Sequence, residues 1–359
     1  MNISIVGGGN IGTQFAVHCA EKGHNVIVYT STPELYDGHL QIVDETGTVA
    51  HEGNILFATS DPDAAFQGSD LIIVTLPATM MHSCAELVYS HSDENAMIGV
   101  VPGNGGSECA FHSCIERGNI FFGIERVPAI ARLIEKGKTV KSTGYRQELH
   151  VAALPWREAG KCAALVESIF DTTTIVIPNY LNLTMTPSNP ILHTSRLRSL
   201  FEDWHEGLVY DHIPLFYEEW DDKSSELLLA CDEEVRTICL AFPEFDLSHV
   251  KSLRQHYESQ TAEAMTRKIS SIPAFKGLQT PAIKTGYGYI PDLHSRYFTA
   301  DFSYGLAIIK QIAVFAGVQT PYIDSLLDWY ESIAVEKESF RYDTYGLHNR
   351  KDFIEFYSR

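Results

Sequence analysis

The chain has little positive charge and no long apolar segment. Its 359 residues include 46 Asp and Glu against 27 Lys and Arg, a formal net charge of -19. A protein that binds nucleic acid or an anionic membrane surface normally presents the opposite charge over its contact area. No stretch approaches the roughly 20 apolar residues of a membrane-spanning helix, and the N-terminus lacks the basic start and apolar core of a secretion signal. We therefore expect a cytoplasmic protein with neither nucleic-acid nor membrane partners.

Paired cysteines are also missing. The seven cysteines are scattered, odd in number and form no Cys-x-x-Cys pair. Disulfide frameworks and structural zinc sites both depend on cysteines at characteristic spacings. The sequence therefore predicts reduced thiols and no metal site.

Short apolar runs alternate with helical patterns over the first half of the chain. The predicted strands are residues 2–6, 25–29, 55–58, 71–76, 97–101 and 120–122, and the predicted helices include 13–22, 78–90 and 107–117. Such alternation is typical of a parallel sheet covered on both faces. After a last strand at 172–178 the pattern is helical, at 190–206, 223–242, 246–269, 302–317 and 321–335. We expect an α/β fold, with a Rossmann-type doubly wound domain over residues 1–178 and an all-α domain over residues 179–359.

A glycine-rich turn follows the first predicted strand. Gly7, Gly9 and Gly12 form Gly-x-Gly-x-x-Gly between a strand and a helix, the context that a dinucleotide-binding βαβ unit requires. The first glycine allows the tight turn, the second lets the backbone approach a pyrophosphate, and the third lets helix and strand pack closely. Free amide groups at the helix start then face the phosphates, so Asn10 and Ile11 join the glycines as candidates. The motif predicts NAD or NADP as cofactor.

The end of the second predicted strand bears on which dinucleotide binds. An acidic residue there would bind the ribose 2′-hydroxyl of NAD, but this chain has Thr30 and Ser31. Hydroxyl groups accommodate a 2′-phosphate, although no arginine lies nearby in the sequence to neutralise it. The pattern therefore favours NADP slightly over NAD, while a plain turn before Pro33 explains the same residues.

Two more turns follow predicted strands. Leu76-Pro77 and Pro102-Gly103 stand at two strand ends. Ligands of open α/β sheets bind beyond the carboxyl ends of the strands, so we expect both turns to line the nicotinamide side of the cofactor. Simple strand-to-helix turns are the alternative.

Two segments in the second half carry a specific combination of residues. Thr186–His193 contains Asn-Pro-x-x-His, and Ser295–Leu306 contains Arg-Tyr-x-x-x-Asp-x-x-x-Gly. Together with the glycine motif, the 102–106 turn and the 318–324 stretch, they resemble the octopine/nopaline (opine) dehydrogenase family over nearly the whole chain. The resemblance implies an enzyme that condenses the amine of an amino acid with a 2-oxo acid and reduces the imine with NAD(P)H, reversibly.

The resemblance also implies the site residues. By motif match the family's His–Asp pair corresponds to His193 and Asp301. A histidine with a pKa near 6.5 exchanges protons at neutral pH, and a carboxylate on its other nitrogen fixes the tautomer and stabilises the imidazolium. Arg296 is a candidate carboxylate anchor because a guanidinium holds a carboxylate through two hydrogen bonds. Arg132 and Asn189 are further substrate-binding candidates, while a packing histidine and a helix N-cap are the structural alternatives for the pair.

Several questions stay open at this point. Ala300 stands where many family members have glutamate, which leaves the amino-acid preference undecided. The acidic run at 217–222 either faces a cationic substrate group or forms a solvated helix start. The functional alternatives are a reductase of the ketopantoate or hydroxy-acid type, whose key lysine is missing from both segments, and a non-catalytic redox sensor. The expected partners are an amino acid and a 2-oxo acid, and the chain is compatible with a homodimer.

Overall fold

The computed structural model describes residues 1–186, 188–335 and 338–359. The chain forms two compact units: unit 1 comprises Met1–Thr184 and Glu355–Arg359, and unit 2 comprises Met185–Ile354. Pro187, which belongs to the Thr186–His193 segment, lies outside the described residues. Within the described ranges, no helix is both long and apolar enough to cross a membrane.

Unit 1 contains strands and helices in alternation. The strands are β1 (Asn2–Val6), β2 (Asn25–Tyr29), β3 (His39–Val43), β4 (Val49–Asn54), β5 (Phe57–Thr59), β6 (Leu71–Val74), β7 (Met97–Val100), β8 (Phe121–Ile124), β9 (Ile130–Glu135), β10 (Thr139–Thr143), β11 (Glu148–Leu154) and β12 (Thr173–Val176). The helices are α1 (Asn10–Glu21), α2 (Pro62–Phe66), α3 (Met81–His91), α4 (Ser107–Ala110), α5 (His112–Arg117), α6 (Ala159–Phe170) and α7 (Tyr180–Met185). Short 3-10 turns lie at Pro33–Leu35, Ala78–Met80 and Trp156–Glu158.

The main sheet of unit 1 has eight strands in the order β12-β11-β8-β7-β6-β1-β2-β5. Neighbouring strands are parallel except for β8 and β11, which are antiparallel. All residues of β6 and β7 are buried, as expected for central strands of a sheet that is covered on both faces. This topology confirms the predicted doubly wound α/β fold.

A second sheet in unit 1, with the order β4-β3-β10-β9, was not predicted. It packs on α1, and a Cβ atom at Gly53 of β4 would lie 2.7 Å from Cβ of Ala20 in that helix. The residues of β4 are mostly polar and exposed, so they lack the apolar runs that identify the strands of the main sheet.

Unit 2 is mainly helical. Its elements are α8 (Asn189–Phe201), α9 (Asp222–Leu240), α10 (Leu253–His256), α11 (Ala262–Ser271), β13 (Ala282–Thr285), β14 (Gly288–Pro291), α12 (Arg296–Thr299), a π-helical turn (Phe302–Leu306), α13 (Ala307–Ala316), α14 (Pro321–Ile333) and α15 (Arg350–Tyr357), whose last residues belong to unit 1. Two 3-10 turns lie at Pro273–Phe275 and Tyr342–Tyr345.

Two details correct the helical expectation for this half. The antiparallel hairpin of β13 and β14 means that it is not purely α. The single helix expected over 246–269 is divided into α10 and α11, because Ser252 and Thr261 each cap a separate helix start with a side-chain oxygen.

Candidate functional site

The glycine loop in unit 1 has the geometry of a phosphate-binding turn. Gly7 adopts a φ of +103°, and a Cβ atom at Gly12 would lie 1.7 Å from the carbonyl oxygen of Gly7, so close packing of α1 on β1 requires glycine. Apart from the residues next to it in the chain, nothing in the described part of the chain lies within 4 Å of a Cβ position at Gly9. The first amides of α1, including that of Ile11, have no acceptor inside the helix. The loop therefore fits a dinucleotide pyrophosphate.

The side chain of Asn10 fastens a neighbouring strand to this loop. Its Oδ1 accepts a hydrogen bond from the amide of Leu133 at 2.8 Å, which fixes the orientation of the side chain at the start of α1. The same strand, β9, carries Arg132, whose side chain is exposed. Arg132 thus lies on the strand that is attached to the start of α1, and its role as a substrate-binding residue stays a prediction.

Thr30 and Ser31 follow β2 beside the loop. Thr30 is buried and Ser31 is exposed. Tyr36, which the sequence did not single out, donates a hydrogen bond from Oη to the carbonyl of Gly8 at 3.3 Å. A Cβ atom at Gly8 would lie 2.0 Å from this Oη and 3.2 Å from Oγ1 of Thr30. Hydroxyl groups therefore surround the loop on the side where the predicted adenosine ribose would lie.

A turn that carries two lysines lies against the chain that follows β2. Gly137, between β9 and β10, packs on the chain after β2: its Cβ position lies 2.3 Å from the carbonyl oxygen of Leu35. Lys136 and Lys138 flank this glycine, and Lys138 forms an ion pair with Glu135 at 2.7 Å. The slight preference for NADP stays a prediction.

The predicted turns at the other strand ends differ in their surroundings. Leu76 contacts the glycine loop, since its Cδ2 lies 3.0 Å from the Cβ position of Gly7. Pro77 and Pro102 are exposed. Their contact with a cofactor stays a prediction.

Gly103 is buried, and packing alone explains why it is glycine. A Cβ atom there would lie 2.4 Å from Cα of Gly123, and Tyr180 donates a hydrogen bond to the Gly103 carbonyl at 2.9 Å. This packing does not test the predicted contact of Gly103 with the cofactor, which stays a prediction.

His193 and Asp301 form a direct hydrogen bond in unit 2. The distance from Nδ1 of His193 to Oδ2 of Asp301 is 2.7 Å. His193 is 3% exposed, and the side chain of Asp301 is 17% exposed. A carboxylate on Nδ1 keeps the proton of the neutral ring on that nitrogen and leaves Nε2 as the acceptor. The fold therefore brings together two side chains that are far apart in the sequence.

The segment that follows Asp301 packs unusually closely on α8. It is wound as a π-helical turn, a feature that is frequent at functional sites. A Cβ atom at Gly305 would lie 2.6 Å from Cγ of Pro190, so only glycine allows this approach to the first turn of α8. The Asp301 side chain forms no N-cap hydrogen bond, which leaves its carboxylate for His193.

Tyr217 occupies the other nitrogen of His193. Its Oη lies 2.6 Å from Nε2, and since Nδ1 carries the proton toward Asp301, the tyrosine hydroxyl is the donor. Burial raises the pKa of Tyr217 far above its ordinary value, with nearby Tyr297 contributing in the same direction. The phenol is therefore neutral over the physiological range. No pattern in the sequence predicts this contact, although Tyr217 begins the acidic run at 217–222.

Aromatic rings hold the Tyr217 side chain in place. Its ring is stacked on Phe275 with centroids 4.1 Å apart and an interplanar angle of 16°. Phe216 meets it edge-on at 4.8 Å, and Trp220 lies nearly parallel to it at 6.2 Å. Tyr217 is 4% exposed as a result.

The buried Arg196 organises the 217–222 segment. Its Nε donates to the carbonyl of Phe216 at 2.9 Å and its Nη2 to the carbonyl of Glu219 at 2.5 Å. Its Nη1 donates to Asp221 at 2.8 Å, and Asp221 is also the N-cap of α9. Asp221 in the acidic run therefore starts a helix, as the structural alternative expected. Sequence reasoning missed Arg196, although it lies one turn after His193 in α8.

Arg296 is exposed and lies close to the His193 cluster. Its Cζ is 5.5 Å from the ring centroid of Tyr297, which lies 4.4 Å from the ring of His193. Within the described residues, no carboxylate pairs with its guanidinium. Asn189, the first residue of α8, is also exposed. An unpaired guanidinium in an acidic chain suits an anionic ligand.

One group of side chains in unit 1 has the donor types of a metal site. Atoms of His18, Glu21 and His51 lie within 4.8 Å of one another. They are already paired: His51 with Glu21 at 2.9 Å and His18 with Tyr145 at 3.1 Å. Burial lowers the pKa of His18 to about 3, so its ring is neutral. These pairs account for the group, and the absence of a metal site stays a prediction.

Comparison with known proteins matches both halves of the chain. A family model described as NAD-dependent glycerol-3-phosphate dehydrogenase N-terminus matches residues 2–103. A second, described as NAD/NADP octopine/nopaline dehydrogenase, alpha-helical domain, matches residues 176–334. The opine dehydrogenase of Haliotis discus hannai is 28% identical over 290 residues, which cover 76% of this chain and 71% of that protein.

Solved structures share the fold over nearly the whole chain. An octopine dehydrogenase in complex with NADH and L-arginine has a TM-score of 0.87 at 22% identity, covering 99% of this chain and 98% of that one. A ketopantoate reductase from Ralstonia eutropha has a TM-score of 0.61 at 15% identity, covering 96% of this chain and 100% of that one. The fold is thus closer to the first of these two enzymes.

Proposed function

Since the chain belongs to the octopine/nopaline (opine) dehydrogenase family, we propose that it joins an amino acid to a 2-oxo acid with His193 and Asp301 as its proton-transferring pair. The chain is an NAD(P)-dependent oxidoreductase of the kind that acts on CH–NH bonds. The observation that carries the more specific proposal is the 2.7 Å hydrogen bond between Nδ1 of His193 and Oδ2 of Asp301.

This pair suits the condensation step on chemical grounds. An amine that attacks a carbonyl must lose its N–H protons, and the carbonyl oxygen must gain protons to leave as water. Asp301 stabilises the imidazolium that forms when His193 takes up a proton. Proton transfer by a positioned side chain is worth roughly 10²–10⁴-fold in rate. Asp301 stays ionised throughout and acts through the ring.

Arg296 supports the choice of carboxylate substrates. Both an amino acid and a 2-oxo acid carry a carboxylate, and a guanidinium binds one through two parallel hydrogen bonds. A neighbouring octopine dehydrogenase structure binds L-arginine, and another binds pyruvate. For this chain we propose the two substrate classes, with Arg296 as an anchor for one carboxylate and Asn189 and Arg132 as further contacts.

The dinucleotide supplies the hydride that reduces the imine when it is bound. The residues that would hold it are those of the glycine loop, with Gly7, Gly9 and Gly12 giving the backbone its close approach. Thr30 and Ser31 would meet the adenosine ribose. These residues bind and orient the cofactor and take no part in proton transfer.

A cofactor-oxidation screen tests the proposal. Amino acids of each side-chain class are combined with pyruvate, oxaloacetate or 2-oxoglutarate, and the absorbance of NADH or NADPH is followed at 340 nm. We expect oxidation only when an amine and an oxo acid are both present, with an N-(1-carboxyalkyl) amino acid as product. Mass spectrometry of the product identifies the pair.

The same screen separates the alternatives. Oxidation with the oxo acid alone, giving a hydroxy acid, would support a reductase of the hydroxy-acid type. Cofactor binding without any turnover would support a sensor. Either result would contradict the proposed condensation.

A further inference from the structure

Both ring nitrogens of His193 are occupied. Nδ1 is bonded to Asp301 at 2.7 Å and Nε2 to the hydroxyl of Tyr217 at 2.6 Å. A substrate atom therefore cannot reach Nε2 unless Tyr217 moves away or takes part in the transfer. The described contacts of Tyr217 decide between these two possibilities.

The ring of Tyr217 is held on several sides. It is stacked on Phe275 at 4.1 Å, meets Phe216 edge-on at 4.8 Å and is nearly parallel to Trp220. Arg196 holds the backbone on either side through the carbonyls of Phe216 and Glu219. Moving the ring would break these contacts and expose a side chain that is 4% exposed, whereas transferring a proton needs no movement of the ring.

We infer that Tyr217 is a proton-transferring residue of this enzyme, with its hydroxyl linking the substrate nitrogen and oxygen to Nε2 of His193. The inference rests on the proposed condensation of an amine with a 2-oxo acid. It makes the proton pathway a chain of three side chains in which Asp301 is bound to His193 and His193 to Tyr217.

The step balances without an added reactant. As the amine nitrogen bonds to the carbonyl carbon, an N–H proton passes to Oη of Tyr217 while the phenol proton passes to Nε2 of His193. Reversal of the transfer delivers a proton to the former carbonyl oxygen. Repeating the exchange removes both N–H protons from the nitrogen, and they leave with the oxygen as water. The products are the imine and one water molecule, and no residue changes its oxidation state.

The neutral phenol is the form that such an exchange needs. Burial raises the pKa of Tyr217, and the neighbouring Tyr297, Tyr257 and Asp301 act in the same direction. Since one proton arrives at Oη as the other departs, a free phenolate is never formed. A chain of hydrogen-bonded groups can move a proton in this way while each group keeps its position.

The test compares two tyrosine variants. Y217F removes only the hydroxyl and keeps the stacked ring. Y287F is the control, because Tyr287 of the same unit is 90% exposed and the substitution removes the same hydroxyl group away from His193. We expect Y217F to lower kcat by about 10²-fold or more, with KM for both substrates and the Kd for NADH within threefold of wild type. Y287F should retain kcat within threefold.

Two further readouts separate a proton-transfer role from a structural one. The first is the dependence of kcat on the fraction of D₂O in the solvent. For wild type it should fit two protons that move in the transition state, and for Y217F it should fit fewer. In ¹⁵N-resolved NMR spectra, the Nε2 signal of His193 should shift in Y217F and stay in place in Y287F, because only Y217F removes the hydrogen-bond donor on that nitrogen.

The possible results distinguish an error in the role of Tyr217 from an error in the proposed condensation reaction. A Y217F enzyme whose kcat stays within threefold of wild type, or rises, would overturn the inference and leave the condensation reaction intact. A wild-type chain that turns over no amine and oxo-acid pair would overturn the proposed function and the transfer step with it. In that case the Nε2 signal of His193 in the NMR spectra still shows whether the hydrogen bond exists.

Discussion

At the scale of single residues, the proposed condensation depends on which nitrogen of His193 carries the proton. Asp301 accepts from Nδ1, so the neutral ring has its lone pair on Nε2. A histidine without this partner would exchange tautomers and lose stabilisation of its charged form. In the proposed mechanism, the hydrogen bond between Nδ1 of His193 and Oδ2 of Asp301 therefore leaves Nε2 as the nitrogen that exchanges the proton and stabilises the charged ring.

Replacing the imidazole should remove most of the catalysis. We expect H193A to lower kcat for imine formation and reduction at least a hundredfold, while the glycine loop in unit 1 still binds the dinucleotide. Steady-state kinetics and NADH fluorescence titration measure the two quantities. Activity near the wild-type level would show that the pair is not catalytic.

Arg296 should be sensitive to geometry as well as charge. R296K keeps the positive charge but loses the planar fork that binds a carboxylate through two bonds. We expect KM for one carboxylate substrate to rise about tenfold or more with a smaller change in kcat. R341K is a suitable control, since Arg341 pairs with Asp343 on an exposed turn. Unchanged KM values in R296K would leave Arg296 a purely structural role.

At the scale of elements, the site depends on the contact between α8 and the π-helical turn. Gly305 packs on Pro190 at the start of α8, and His193 follows one turn later in the same helix. The two motifs that identify the family in sequence are thus the two surfaces of one packing contact. Neither motif has this meaning alone, because each supplies only half of the contact.

A methyl group at this contact should separate the two elements. In G305A the new Cβ would lie 2.6 Å from Cγ of Pro190, and such overpacking typically costs about 1–3 kcal/mol. We expect a lower Tm and a loss of kcat as Asp301 moves away from His193. The control is G160A in α6, where no described atom lies within 4 Å of the Cβ position, so that its Tm should stay constant or rise. Equal Tm values for G305A and wild type would contradict the packing argument.

At the scale of the whole molecule, one buried carboxyl group makes stability depend on pH. Burial raises the pKa of Asp232 from 3.8 to about 6, and its Oδ2 accepts from the amide of Leu253 at 2.9 Å. Between these two pH values the folded chain binds a proton that the unfolded chain has released. Stability contributed by this group therefore falls as pH rises from about 4 to 6, and the loss is complete above pH 6.

The variant D232N should not show this loss. Asparagine is neutral at every pH and can still accept the Leu253 hydrogen bond, so the Tm of D232N relative to wild type should rise between pH 4 and pH 7. The raised pKa of Asp232 corresponds to a change of at most about 3 kcal/mol in the free energy of unfolding. Thermal unfolding at several pH values measures it, with D211N at an exposed position as control. A constant difference in Tm would contradict the raised pKa.

The parts of the fold that sequence patterns predicted are those with a local cause. Strands β6 and β7 are buried on both faces and read as continuous apolar runs. The glycine loop is recognisable in the sequence because short-range steric constraints require glycine at each of its three positions. The sheet that contains β4 escaped prediction, since its strands are partly exposed and the pairing of β3 with β10 joins distant segments. Cofactor choice and assembly into a homodimer stay predictions.

The sequence by itself determined the dinucleotide loop, the α/β order and, through the two family motifs, the candidate pair His193 and Asp301. Only the tertiary structure decided that a third side chain, Tyr217, lies on the remaining nitrogen and that Arg196 holds its segment in place. The physical reason is range. Backbone geometry and strand burial follow from neighbouring residues, whereas the partner of a buried polar atom is set by packing between segments that the sequence does not place side by side.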